Sequence, residues 1–133
     1  STTLITGHQC EKNGKHNWRA LAKLNSTLVF YMGVKNISEI VIGLIKNGKS
    51  GSTPLAIVQN GTMVTQDIFI STLKNVEKEL EGITLKTPAV IIIGEVVNHH
   101  QRLQKYVTSI PADYVDPVGD FGFDIWKNKV VVA

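Results

Sequence analysis

Cys10 is the only cysteine among 133 residues, so no internal disulfide can staple the fold. Stability must come from a packed core. Charge is also sparse and scattered. The net charge is +3, and the basic residues fall in separate polar turns, such as Lys12 and Lys15, Lys46 and Lys49, and Lys127 and Lys129. Without a basic stripe there is little to track a phosphate backbone, and no nucleic-acid partner is expected. Long apolar runs are missing too. Val90-Ile91-Ile92-Ile93 falls far short of the roughly 20 residues of a spanning helix, so no membrane partner is expected. The first residues lack a basic segment followed by an apolar one, which argues against a signal peptide and for a cytoplasmic location. The Asn-x-Ser/Thr triplets at Asn25, Asn36 and Asn60 then read as chance matches rather than glycan sites.

What the chain does have is 43% hydrophobic residues against 19% charged, the balance of a globular domain. Thr2 to Thr6 reads as a strand. Asn17 is placed to cap a short helix carrying Trp18, Leu21 and Ala22. Thr27 to Met32 is a continuous apolar run, the pattern of a strand covered on both faces. Ile37, Ile40, Val41, Leu44 and Ile45 follow the helical template, with Asn36 and Glu39 at capping-box spacing and Asn47-Gly48 as the stop. Leu55 to Gln59 and Gln66 to Ser71 read as adjacent strands that pair antiparallel. Ser71 or Thr72 opens a helix with Leu73, Val76 and Leu80 inward, Ala89 to Ile93 is the most hydrophobic strand, and a last helix covers about residues 96–107. The order β-α-β-α-β-β-α-β-α predicts an α/β fold: a mixed, mainly parallel sheet with helices on both faces. Residues 1–107 form that domain. Residues 108–133 hold Pro111, Pro117 and two glycines, and read as a linker or tail. The segment Lys127 to Val132 resembles a new strand at the start of a following domain.

Three signatures stand where apolar runs stop: Thr3-Leu4-Ile5-Thr6-Gly7-His8, Val29-Phe30-Tyr31-Met32-Gly33 and Ile57-Val58-Gln59-Asn60-Gly61-Thr62. Ligands of open α/β sheets sit beyond the carboxyl ends of strands, so three such turns point to one ligand edge. At Tyr31-Met32-Gly33, a backbone amide and carbonyl can read an adenine edge. Gly33 removes a Cβ, and the Met32 thioether can pack on a flat ring. Gly61 lets a ligand lie against the backbone, with a Thr62 amide or hydroxyl to donate. Other chemistries find little support. His8, Cys10 and His16 match no common zinc spacing, and no metal site is expected. Lys46-Asn47-Gly48-Lys49-Ser50 lacks the glycine spacing and order of a phosphate loop. His99 and His100 read as partly exposed helix residues, and no nucleophile-base pair is readable from local spacing.

The ordered blocks Thr-Leu-Ile-Thr-Gly-His, Leu-Val-Phe-Tyr-Met-Gly, Ala-Ile-Val-Gln-Asn-Gly-Thr-x-x-x-Gln and Pro-Ala-Val-Ile-Ile-Ile-Gly-Glu-Val-Val resemble the tetrapyrrole methylases over about residues 1–106. The resemblance is strongest to the branch that methylates uroporphyrinogen III on the way to sirohaem and cobalamin. It implies two α/β domains with S-adenosylmethionine between them, this chain being the C-terminal one. It implies that Met32, Gly61 and Thr62 face the cofactor, which leaves as S-adenosylhomocysteine, and that His8 faces the tetrapyrrole. It also implies a homodimer. The family's opening motif, its methionine-binding loop and its acid/base residues have no counterpart here, so no catalytic residue is assigned and the chain alone is expected to be inactive. The tail from Trp126 to Val132 resembles the first strand of a uroporphyrinogen-III synthase domain. Two alternatives remain open: another methylase of the same fold, acting on a precorrin, diphthine or ribosomal RNA, and a non-catalytic nucleotide-binding or dimerisation module.

Overall fold

The computed structural model of the chain describes residues 1–7, 16–63 and 65–107. His8, Cys10 and the 108–133 tail lie outside the described residues. Among the described residues five strands form one sheet: β1 (Thr2–Thr6), β2 (Thr27–Tyr31), β3 (Pro54–Gln59), β4 (Asp67–Thr72) and β5 (Ala89–Ile93), in the spatial order β1-β2-β5-β3-β4. The helices are α1 (Trp18–Lys23), α2 (Ile37–Lys46), the single turn α3 (Val76–Glu79) and α4 (His99–Val107).

The expectation of a mainly parallel sheet is corrected. Only β1 and β2 pair parallel; β2–β5, β5–β3 and β3–β4 are antiparallel. The cause is where β5 goes. It enters between β2 and β3 and runs against both. Ile91 then lies between Phe30 and Ile57, and Ile93 between Leu28 and Leu55. All six side chains are fully buried. At about 1.5–3 kcal/mol for each large apolar side chain removed from water, this double row anchors the centre of the sheet. Alternation of strands and helices identifies the elements, while side-chain packing across the sheet selects the pairs.

Ala22 of α1, Ile40, Val41 and Leu44 of α2, and Val76 of α3 join the same buried cluster as that row. These three helices therefore share one face. On the other face Leu4, Tyr31 and Ile70 are exposed, and Val29, Val58, Val90 and Ile92 are half-buried. The apolar run of β2 thus alternates between deep and shallow positions instead of being covered twice.

Local signals succeed at several ends. Asn17 caps α1, its Oδ1 accepting from the Ala20 N–H at 3.0 Å. Gly48 closes α2 at φ +100°, with its N–H donating to the Ile45 carbonyl. The Lys49 ammonium reaches back to the Leu24 carbonyl at 3.0 Å and the Ala22 carbonyl at 3.4 Å, a cation at the C-terminus of α1. Partial burial holds its pKa below the usual lysine range. Gly43 lets α1 and α2 touch: a Cβ there would lie 2.4 Å from Cδ2 of Trp18. Two expectations shift. Ser71 and Thr72 remain in β4, and the helix after them shrinks to one turn, with Leu73 and Val76 still buried. The last helix opens with a 3-10 turn at Glu95–Asn98 before α4.

Candidate functional site

β1, β2 and β3 run in one direction, so their carboxyl ends reach the same edge of the sheet. The Thr6-Gly7, Met32-Gly33 and Asn60-Gly61-Thr62 turns all leave from that edge. Because β5 lies between β2 and β3, the Met32 and Asn60 exits are separated by two strand spacings, roughly 10 Å. The topology therefore brings Met32, Gly61 and Thr62 together. His8, two residues beyond the end of β1, is among the undescribed residues.

The backbone at these exits is unusual. Met32 (φ +56°), Asn60 (φ +47°) and Thr62 (φ +69°) are the non-glycine residues in the left-handed region among the described residues. That conformation costs about 1–3 kcal/mol for a residue with a side chain, and a β-branched threonine there is rarer still. All three belong to the same sheet edge. Met32 is 66% exposed, so burial of its side chain does not offset the strain.

Contacts around the turns hold them in place. Gly7 is buried, and its N–H donates to the Tyr31 carbonyl at 2.5 Å. A Cβ on Gly7 would stand 2.2 Å from Cα of Gly33, so the two exits touch backbone to backbone. Gly33 cannot retreat either. A Cβ there would meet Ile40 Cδ1 at 2.9 Å, Phe30 Cβ at 3.2 Å and Ile91 Cδ1 at 3.3 Å. On the β3 side, buried Gln59 accepts from the Lys86 N–H through Oε1 and donates to Asp67 Oδ2 through Nε2. The Asn60 N–H donates to the Pro88 carbonyl. The Thr62 N–H donates to Gln66 Oε1 at 2.7 Å. That amide is thus already engaged, which leaves the hydroxyl as the Thr62 donor. Gly61 is open: a Cβ there would have only Val58 Cγ1 nearby, at 3.5 Å.

Two residues here escaped sequence reasoning. Asn36 reads as a helix cap but makes no cap hydrogen bond; its Nδ2 donates to the Gly7 carbonyl at 2.6 Å. Gln66 stands inside the quoted motif, yet no spacing rule ties it to the Thr62 amide. His16, considered above with His8 and Cys10, packs edge-on against Trp18 and Phe30, with ring centroids at 5.0 and 6.3 Å. Its Nε2 is buried without a hydrogen-bond partner. On α4, His99 is exposed and His100 half-buried.

Residues 1–77 match the family model of the tetrapyrrole (corrin/porphyrin) methylases, and the chain belongs to that family. It is 40% identical over 105 residues to a siroheme synthase of Hydrogenovibrio crunogenus, a match covering 79% of this chain and 22% of that protein. It is 34% identical over 111 residues to a uroporphyrinogen-III C-methyltransferase of Bacillus subtilis, covering 83% and 43%. The fold matches the crystal structure of uroporphyrin-III C-methyltransferase from Thermus thermophilus complexed with S-adenosyl homocysteine, with a TM-score of 0.62, 26% identity, and 74% and 43% coverage. The chain thus spans less than half the length of these relatives.

Proposed function

We propose that residues 1–107 are the second α/β domain of an enzyme that transfers methyl groups from S-adenosylmethionine to ring carbons of uroporphyrinogen III, yielding precorrin-2. Residues 108–133 then form a linker or the start of a following domain. The observation that carries the reading is the cluster of left-handed Met32, Asn60 and Thr62 at one sheet edge, because strain kept at exposed turns is characteristic of ligand-binding sites. The names of the relatives supply the substrate and the methyl donor.

The residues present fit that donor. Gly61 leaves room for a flat group against the backbone, and the exposed Met32 thioether packs on such a ring. The Tyr31 and Gly33 carbonyls are engaged by Gly7 and Asn36, so adenine recognition falls to the Met32 peptide groups and the Thr62 hydroxyl. His8 is assigned to the tetrapyrrole. When bound, S-adenosylmethionine supplies a methyl group that is already electrophilic. The task of this chain is to orient: one wall fixes the adenosine end so that the methyl can be held in line with a pyrrole carbon. The acid and base that manage the proton belong to the other domain. In this reading the enzyme is a cytoplasmic homodimer. None of the described helices is long and apolar enough to cross a membrane.

The test is methyl transfer by the full-length protein that carries this chain. Uroporphyrinogen III is expected to be converted to precorrin-2, with precorrin, diphthine and ribosomal RNA substrates left unmodified. The 133-residue chain alone is expected to show no turnover. Activity of the isolated chain, or a full-length protein that ignores uroporphyrinogen III, would overturn the proposal.

A further inference from the structure

Asn36 has the sequence position of a helix cap and does a different job. A capping asparagine accepts a hydrogen bond from the first turn of its helix. At α2 no such bond exists. The side-chain amide turns away from the helix and donates to the Gly7 carbonyl at 2.6 Å, while the Asn36 N–H donates to the Gly33 carbonyl at 2.9 Å. One residue thus holds the exits of both β1 and β2. The Gly7 N–H closes the arrangement by donating to the Tyr31 carbonyl. The pair rests on the core, since Gly33 has Ile40, Phe30 and Ile91 directly behind it.

We infer that Asn36 is a positioning residue that locks the exit of β1 to the Met32-Gly33 turn and so sets the spacing between the two parts of the binding wall. The chemistry requires an amide. The Gly7 carbonyl can only accept, so its partner must carry a hydrogen-bond donor at the reach of an asparagine amide. Aspartate would oppose a carboxylate to a carbonyl oxygen, and the serine hydroxyl, although a donor, sits one atom too short. Both are nevertheless good cap residues. Capping ability and the clamp therefore separate cleanly by substitution. The backbone bond from Asn36 to Gly33 survives any side-chain change, so the Met32 turn stays in register while the β1 exit, still joined to Tyr31 by the Gly7 N–H, is loosened.

What the two exits face rests on the function proposed above, and the test separates the two claims. Asn36→Asp and Asn36→Ser are made in the 133-residue chain and in the full-length protein. In the chain, amide hydrogen exchange followed by NMR reads how readily the β1 exit opens, because parting the Gly7 N–H from Tyr31 must also overcome the Asn36 bond to the Gly7 carbonyl. Protection of the Gly7 amide is expected to fall about fivefold to tenfold, the ratio that matches one lost hydrogen bond, with amides of Val41 to Lys46 unchanged. In the full-length protein, KM for uroporphyrinogen III is expected to rise by a similar factor while KM for S-adenosylmethionine stays within twofold. An unchanged Gly7 amide refutes the clamp, whatever the enzyme does. A shifted Gly7 amide with both KM values rising together, or with neither changed, refutes the positioning role. Wild-type protein that ignores uroporphyrinogen III refutes the functional reading and leaves the Gly7 amide to decide the clamp.

Discussion

Gly61→Ala separates folding from binding at this site. A Cβ at Gly61 would touch only Val58 Cγ1, at 3.5 Å, which is ordinary van der Waals contact. Gly61 is also absent from the glycines with positive φ, so alanine adopts its backbone without strain. Replacing such a glycine narrows the unfolded ensemble and stabilises the fold by about 0.4–1 kcal/mol. For a domain of this size, Tm should rise by roughly 2–6 °C. Binding should move the other way. The new methyl group occupies the open side of the turn, where the adenosine would lie against backbone. Forcing a bound ring off by one methyl costs about 1–3 kcal/mol, or roughly tenfold to a hundredfold in affinity. Differential scanning fluorimetry on the chain measures the first effect. Isothermal titration of S-adenosylhomocysteine into the full-length protein measures the second. A variant that melts at or above the wild-type temperature and binds with wild-type affinity would refute the assignment of Gly61 to the cofactor wall. A lowered Tm would refute the reading of the turn geometry.

Met32→Gly relieves the left-handed strain of an exposed residue, while glycine loses about 0.5–1 kcal/mol to its own backbone entropy. It should therefore melt no lower than wild type and above Met32→Ala, with both variants binding S-adenosylhomocysteine about tenfold more weakly; calorimetry and titration check the order. Gly43→Ala drives a methyl to within 2.4–2.9 Å of the Trp18 indole. The clash, about 1–3 kcal/mol, outweighs a helix-propensity gain of about 1 kcal/mol, so Tm should fall and Trp18 fluorescence should shift to the red. Lys49→Met removes the ammonium held by the Leu24 and Ala22 carbonyls and should destabilise the chain by about 0.5–1.5 kcal/mol at neutral pH. The folded pKa of Lys49 lies below its unfolded value, so the unfolded chain binds more protons between the two. Wild-type stability should accordingly rise relative to Lys49→Met as pH climbs from the folded pKa toward 10.5, which urea melts across that range would show.

The elements were largely legible because their signals are local. The apolar period of α2, the Asn17 cap and the Asn47-Gly48 stop each depend on neighbours within a turn or two of helix. The strand exits at Gly7, Met32-Gly33 and Asn60-Gly61 were legible as interruptions of apolar runs. Sheet pairing was not legible in this way. β5 is distant in sequence from β2, and nothing in Ala89 to Ile93 states that it will run antiparallel between β2 and β3. The shared face of α1, α2 and α3 was hidden for a related reason. An apolar run reads the same whether one face or both are covered, as β2 shows.

At the candidate site, the sequence by itself determined which residue types stand at the strand ends: a methionine, a glycine and a threonine. Only the tertiary structure decided their state. It engaged the Thr62 amide with Gln66, bent Met32, Asn60 and Thr62 into the left-handed region, and turned Asn36 from its helix toward Gly7. Each outcome depends on groups that folding brings together from separate turns or from opposite ends of one loop. A hydrogen-bonding side chain takes the partner that the fold presents, and sequence spacing reveals only the partner nearest along the chain.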